Sequence, residues 1–79
     1  MGTGVHDQRY QSLIDRLREA RASKRLSQEQ LGQRLNRRQQ FVSKFESGER
    51  KLDVVEFVEI ANELGADPVS LLRSAGLIM

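Results

Sequence analysis

An all-α domain of five short helices is the fold class this 79-residue chain predicts, and three observations predict it. Apolar residues recur three and four apart from Leu13 to Leu72, and no useful stretch alternates with the two-residue period of a strand. Helix-start signatures stand at Ser27, Asp53 and Asp67. Glycines suited to ending a helix follow at positions 48 and 65.

Taken in order, the first helix is expected over about residues 8 to 23, lined by Leu13, Leu17 and Ala20. Residues 1–7, opening on "MGTG", are expected to be disordered. In "LSQEQL", Ser27 caps a second helix over about 28 to 35, with Gln30 closing a capping box and Leu26 facing Leu31 as a hydrophobic staple. Leu31 and Leu35 line it. Gly32 leaves no side chain to hold a neighbouring helix away, and Asn36 suits a turn position with positive φ. The third helix, about 38 to 46, is anchored by Val42 and Phe45 and ended by Gly48. Asp53 and Glu56 box the start of a fourth, with Leu52 facing Phe57 and Val54, Phe57, Val58, Ala61 and Leu64 along it. Asp67 caps a fifth, where Pro68 takes the first position at no cost in hydrogen bonds, and Val69, Leu71 and Leu72 follow. One domain over residues 8–75 results, with 76–79 as an apolar tail.

Composition narrows the chemistry. The chain has no cysteine, which removes disulfides and thiolate metal sites and makes a reducing, cytoplasmic setting the expectation. His6 is the one histidine, too few for an ordinary zinc site, so no metal or other cofactor is expected. No apolar run approaches the ~18 residues of a membrane span. The sequence carries no phosphate loop, Gly-rich nucleotide fingerprint or paired nucleophile and base, so it is not expected to be an enzyme. A chain of this size buries only about 60% of the surface its unfolded form exposes, so its stability should be modest.

Charge is unevenly spread. Net charge is +2, yet residues 24–51 carry eight basic side chains against three acidic ones, and residues 52–79 one basic against five acidic. A polyanion could meet the middle of such a chain while the last third repels it. Chance scatter could give the same split.

The third helix sharpens this reading. At about 100° per residue, Val42 and Phe45 point inward, while Arg37, Gln40, Lys44 and Ser47 form one outer stripe with Ser43 beside it. Gln39 lies at the leading end. Solvated faces usually mix both signs of charge, and this one has amides and cations with no carboxylate. Glutamine can pair with adenine, and lysine or arginine with guanine, in the DNA major groove. A stripe that merely keeps the helix soluble is the bland alternative. A capped helix, a short turn and a second helix with such a face make a helix-turn-helix arrangement.

The run "LSQEQLGQRLNRRQQFVSKFESGERKLDVVEFVEIANELGADPVSLL" resembles the phage repressor and Cro family, the Xre-type helix-turn-helix proteins. Leu26, Ser27-Gln28, Leu31, Leu35, Val42, Glu46 with Gly48, and "IANELG" carry the resemblance jointly, over residues 13–72. It implies a compact, lambda-repressor-like domain of five helices whose second and third form the DNA-reading unit. It further implies a sequence-specific transcriptional regulator, repressor or controller, that inserts its third helix into the major groove of double-stranded DNA. Gln39, Gln40 and Lys44 match the base-reading positions, and Ser43 a neighbouring contact. Gln28 matches a phosphate contact at the second helix's start, where the positive helix end favours an anion. Ser47, Arg50 and Lys51 match positions in the following loop, where the family contacts backbone phosphate. Arg21 and Glu46 match an internal salt bridge between the first helix and the end of the third.

Departures accompany the match. Asn36, Arg37 and Arg38 stand where the family usually has glycine, an aliphatic residue and a serine or threonine cap. Arg37 and Arg38 are candidate phosphate contacts, which add affinity without specificity. Phe41 occupies a position that is usually small and polar, and would either pack on Phe45 or lie against a thymine methyl. Arg25 stands where a helix-ending glycine is common.

Partners follow from the same resemblance. A homodimer on a palindromic operator is expected, its recognition helices roughly 34 Å apart. Val55 and Val58 on a flank of the fourth helix, and Leu77 and Ile78 in the tail, are candidate dimer contacts. The tail could equally fold back onto its own core. Glu56, Glu59 and Glu63, three and four apart, read as a solvated acidic face, with a basic surface such as RNA polymerase as a lesser option. The alternative function is an antitoxin or protein-interaction module of the same fold, with a toxin as partner.

Overall fold

Local signals decide where each helix begins. The computed structural model describes residues 7–79 and contains α1 (Gln8–Ser23), α2 (Gln28–Leu35), α3 (Gln39–Ser47), α4 (Val54–Glu63) and α5 (Pro68–Ser74), with no strand among those residues. Ser27 with Gln30 and Asp53 with Glu56 close the two expected capping boxes, and Asp67 caps α5 above Pro68. Residues 1–6, His6 among them, lie outside the described residues. Asp7 caps α1, its carboxylate accepting the Arg9 N–H at 2.8 Å. α3 starts one residue later than its apolar spacing suggested. Arg38 is its N-cap, and the Arg38 side chain makes no capping bond.

Four of the five described helices end alike, each in a Schellman turn. The N–H of Leu26 reaches the Arg21 carbonyl, Arg37 reaches Gly32, Ala66 reaches Ala61 and Leu77 reaches Leu72, at 2.8–3.2 Å. The left-handed residue in these turns is Gly65 after α4 and Gly76 after α5, but Arg25 after α1 (φ 58°) and Asn36 after α2 (φ 61°). Asparagine tolerates that conformation; arginine pays a steric penalty for it.

All five helices contribute to the core or pack against it. Leu13, Ile14, Leu17, Leu31, Val42, Phe45, Phe57, Ile60, Leu64 and Ala75 form one buried cluster, with Leu35, Leu52, Leu71, Leu72 and Leu77 half-buried against it. Two valines expected to line their helices' inward faces do not: Val54 is 77% exposed and Val69 on α5 is at 47%. Val58, also read as lying on a flank of the fourth helix, is 36% exposed. Phe57, Ile60, Ala61 and Leu64 form the inward stripe of α4; Val54 continues its spacing but, as the first residue of the helix, stands at the edge of the core. Of the tail, Leu77 packs on its own core, while Ile78 and Met79 are exposed.

α2 and α3 pack most intimately, and Gly32 permits it. A Cβ built there would stand 2.9 Å from the Arg37 carbonyl oxygen and 3.4 Å from the Arg38 carbonyl. The turn joining the two helices therefore lies directly on α2, which fixes where α3 starts. The Tyr10 hydroxyl accepts the Leu52 N–H at 3.1 Å, and the Lys51 ammonium lies 4.1 Å over the Tyr10 ring. Those contacts tie α1 to the loop between α3 and α4.

Candidate nucleic-acid interface

α3 presents its polar stripe outward as a unit. Gln39, Gln40, Ser43, Lys44 and Ser47 are all exposed, while Val42 and Phe45 are fully buried beneath them. Nine residues make a rod about 13 Å long, short enough to lie within a major groove that admits one helix. The single carboxylate of α3, Glu46, is buried and paired, so the outer face is free of negative charge.

Glu46 gathers three elements around the end of α3. Arg21 of α1 donates from Nε at 2.7 Å and from Nη2 at 2.9 Å, and its Nη1 reaches the Leu26 carbonyl at 2.8 Å. Gln28, at the head of α2, donates its amide to Glu46 Oε1 at 2.9 Å. The Gln28 amide is thereby oriented from within the fold. Any phosphate contact this half-buried group makes uses its second amide N–H, since the first is engaged by Glu46.

A second carboxylate does the same at the opposite side of α3. Glu56, expected on a solvated face, is 6% exposed, and only Glu59 and Glu63 of that acidic set face outward to any extent. The three-and-four spacing was read without the two arginines that cover its first member. Arg50 reaches Glu56 with two bonds of 2.8 Å each, and Arg37 adds a third at 3.2 Å. Both guanidiniums also lie over the Phe41 ring. The centre of that ring is 4.3 Å from Arg37 Cζ, 5.0 Å from Arg50 Cζ and 5.6 Å from the Phe45 ring centre. The Arg50 bonds, helped by the Asp53 N–H and by Arg37, hold the Glu56 carboxyl at about 2 against the opposing effect of burial, and the same pairing raises Arg50.

The remaining candidates divide by how much of each is engaged. Arg38 is exposed and makes no cap. Arg37 is exposed yet bonded at one nitrogen. The Ser47 hydroxyl donates to the Lys44 carbonyl at 3.1 Å and accepts the Glu49 N–H at 3.3 Å. Lys51 stands over Tyr10. Among the candidate dimer contacts, Val55 (65%), Val58 and Ile78 are exposed, whereas Leu77 is half-buried in its own protomer. Sequence reasoning missed Tyr10 and the pairing role of Glu56. The capping-box reading of Glu56 was the one signal that tied it to a fixed place.

A family model described as helix-turn-helix matches residues 17–71, well over half of the chain. Among solved structures, an XRE-family-like protein from Pseudomonas syringae pv. tomato str. DC3000 is 44% identical, with a TM-score of 0.86 over 94% of this chain and 90% of that one. The chain belongs to the XRE-type helix-turn-helix family. No curated protein matches it. The XRE-type fold is that of DNA-binding regulators, and α2 and α3 are its helix-turn-helix. No helix of this XRE-family chain, among the described residues, is long and apolar enough to cross a membrane.

Proposed function

We propose that the protein is a sequence-specific, double-stranded DNA-binding transcriptional regulator, a repressor or controller, that places α3 in the major groove. The observation that supports this most is the face of α3: Gln39, Gln40, Ser43 and Lys44 exposed together, with its one carboxylate turned inward and paired. Gln39 and Gln40 supply bidentate amides suited to adenine, and Lys44 a donor suited to guanine. Arg38, with Arg37, Ser47, Arg50, Lys51 and Gln28 around it, supplies the phosphate-facing rim, which sets register without reading sequence. Regulation then acts by occupancy of DNA, in the cytoplasm, and involves no catalysis or cofactor.

A homodimer on a palindromic site is part of the proposal. Val54, Val55 and Val58 give α4 an exposed apolar flank, and Ile78 and Met79 add apolar surface in the tail. An apolar patch favours a protein contact over open water. The same patch keeps the antitoxin reading in view, with a toxin as its occupant.

Selection of bound duplexes from random DNA tests the function. The expected result is a short, two-fold symmetric consensus with half-sites about one helical turn apart. Failure to retain any duplex at low salt contradicts the proposal. A consensus without symmetry contradicts the dimer alone.

A further inference from the structure

Two departures from the family's usual pattern, Arg37 in place of an aliphatic residue and Phe41 in place of a small polar one, meet at one place in the fold. Arg37 is the residue after the left-handed Asn36, where a Schellman turn commonly packs an apolar side chain back onto its helix. Here its guanidinium lies over the Phe41 ring instead, Cζ 4.3 Å from the ring centre. Arg50, three residues beyond the end of α3, places its Cζ 5.0 Å from the centre of the same ring. Glu56 on α4 binds both arginines and also accepts the Asp53 N–H at 3.1 Å, so α4's own cap holds it in position.

We infer that Glu56 is a positioning residue for DNA reading: through Arg37 and Arg50, both packed on Phe41, it locks the turn before α3 and the loop after it, and so sets the pose of Gln39 and Gln40. α3 needs such a lock because Arg38 gives its first turn no side-chain cap. The clasp also takes one carboxylate's worth of charge from two arginines beside the interface. It thereby restrains sequence-blind attraction to phosphate while holding the base-reading groups in place. Specificity is the product of the two effects. The role presupposes that α3 reads DNA, as proposed above.

Glu56→Gln tests it, since glutamine can still accept the Asp53 N–H of the capping box and loses only the charge that draws both arginines. The full chain is titrated against a selected operator duplex and a scrambled duplex of equal length across a salt series. The expected result is a loss of about tenfold in the operator-to-scrambled ratio, the size of one base pair's discrimination. Affinity for the scrambled duplex holds or rises, and its log–log salt slope steepens by about 0.9, as one more cation reaches phosphate. A folded Glu56→Gln protein with an unchanged ratio overturns the inference. So does an equal loss on both duplexes, which a merely structural role gives. Should Glu56→Gln not fold, Phe41→Leu removes the plate the arginines share, and an unchanged ratio there overturns the inference equally. Wild-type protein that binds neither duplex at low salt shows instead that the DNA-reading proposal itself has failed, and the Glu56 role falls with it.

Discussion

Arg21 and Glu46 meet side-on through two parallel bonds, Nε to Oε2 at 2.7 Å and Nη2 to Oε1 at 2.9 Å, across the junction of α1 with the end of α3. Glu46 is 6% exposed, so this pair is largely out of water, and Gln28 takes up the acceptor capacity that remains on Oε1. A carboxylate in that setting is tolerated only because each oxygen is met by a donor. The geometry also orients the recognition helix from behind, since α1 and α2 both grip its last turn.

Removing one partner should therefore cost more than an exposed ion pair is worth. Glu46→Ala is expected to lose about 3 kcal/mol, lowering Tm by more than about 10 °C, because Arg21 and Gln28 are left without their acceptor. The double variant Arg21→Ala with Glu46→Ala should lose less than the two single losses added together. Thermal unfolding of all three proteins measures this, and strict additivity would count against a coupled pair.

Arg25 offers a stabilising change. It holds φ at 58° in the turn after α1 with its side chain exposed, a conformation that glycine adopts without strain. Arg25→Gly should raise stability by about 0.5–1 kcal/mol, the relief of left-handed strain less the added freedom of the unfolded chain. Urea unfolding with a shifted midpoint and an unchanged slope is the expected reading.

At Arg38, stability and binding should part company. A serine there supplies the side-chain cap that α3 lacks, worth roughly 0.5–1 kcal/mol, and takes away an exposed cation. Arg38→Ser is thus expected to melt higher and yet bind every DNA sequence more weakly, with a salt slope shallower by about 0.9. Stronger binding by the variant would show that Arg38 faces away from the phosphates.

Acid should loosen the Glu56 clasp. The folded-state carboxyl sits at about 2, below its ordinary 4.5, so between those values the unfolded chain binds the extra proton. Stability from this group is complete above about pH 4.5 and drains away as pH falls toward 2. Asp7 is lowered to a similar value by Arg9, but as an exposed pair it adds little. Urea midpoints at pH 5 and pH 2.5 should differ less in Glu56→Gln than in the wild type. Identical pH dependence in the two proteins would place the acid sensitivity elsewhere.

Much of the helix plan is legible because it is written locally. Ser27, Asp53, Asp67, Gly48 and Gly65 act within a turn of where they stand, so their meaning survives without knowledge of the fold. Gln40 and Lys44 share a face by periodicity alone, and that face is exposed. The Glu56 clasp is different in kind. Its members lie at positions 37, 41, 50 and 56, on a turn, two helices and a loop, and no spacing rule joins them. Read by itself, Glu56 belongs to a run of acidic residues three and four apart, which normally signals solvent. Val54 and Val69 misled in the opposite sense, since apolar character alone does not say where the core stops. Tyr10 was silent because its partner, the Leu52 N–H, is 42 residues away.

The most direct test of the central claim compares Gln40→Ala with the wild type on the selected operator and on every single-base-pair variant of it. The account predicts that Gln40→Ala loses about 1–3 kcal/mol of discrimination at one base pair per half-site and keeps its preference elsewhere. A uniform loss across all duplexes, with no position relaxed, would contradict it: the amides of α3 would then be touching backbone, or nothing, in place of bases.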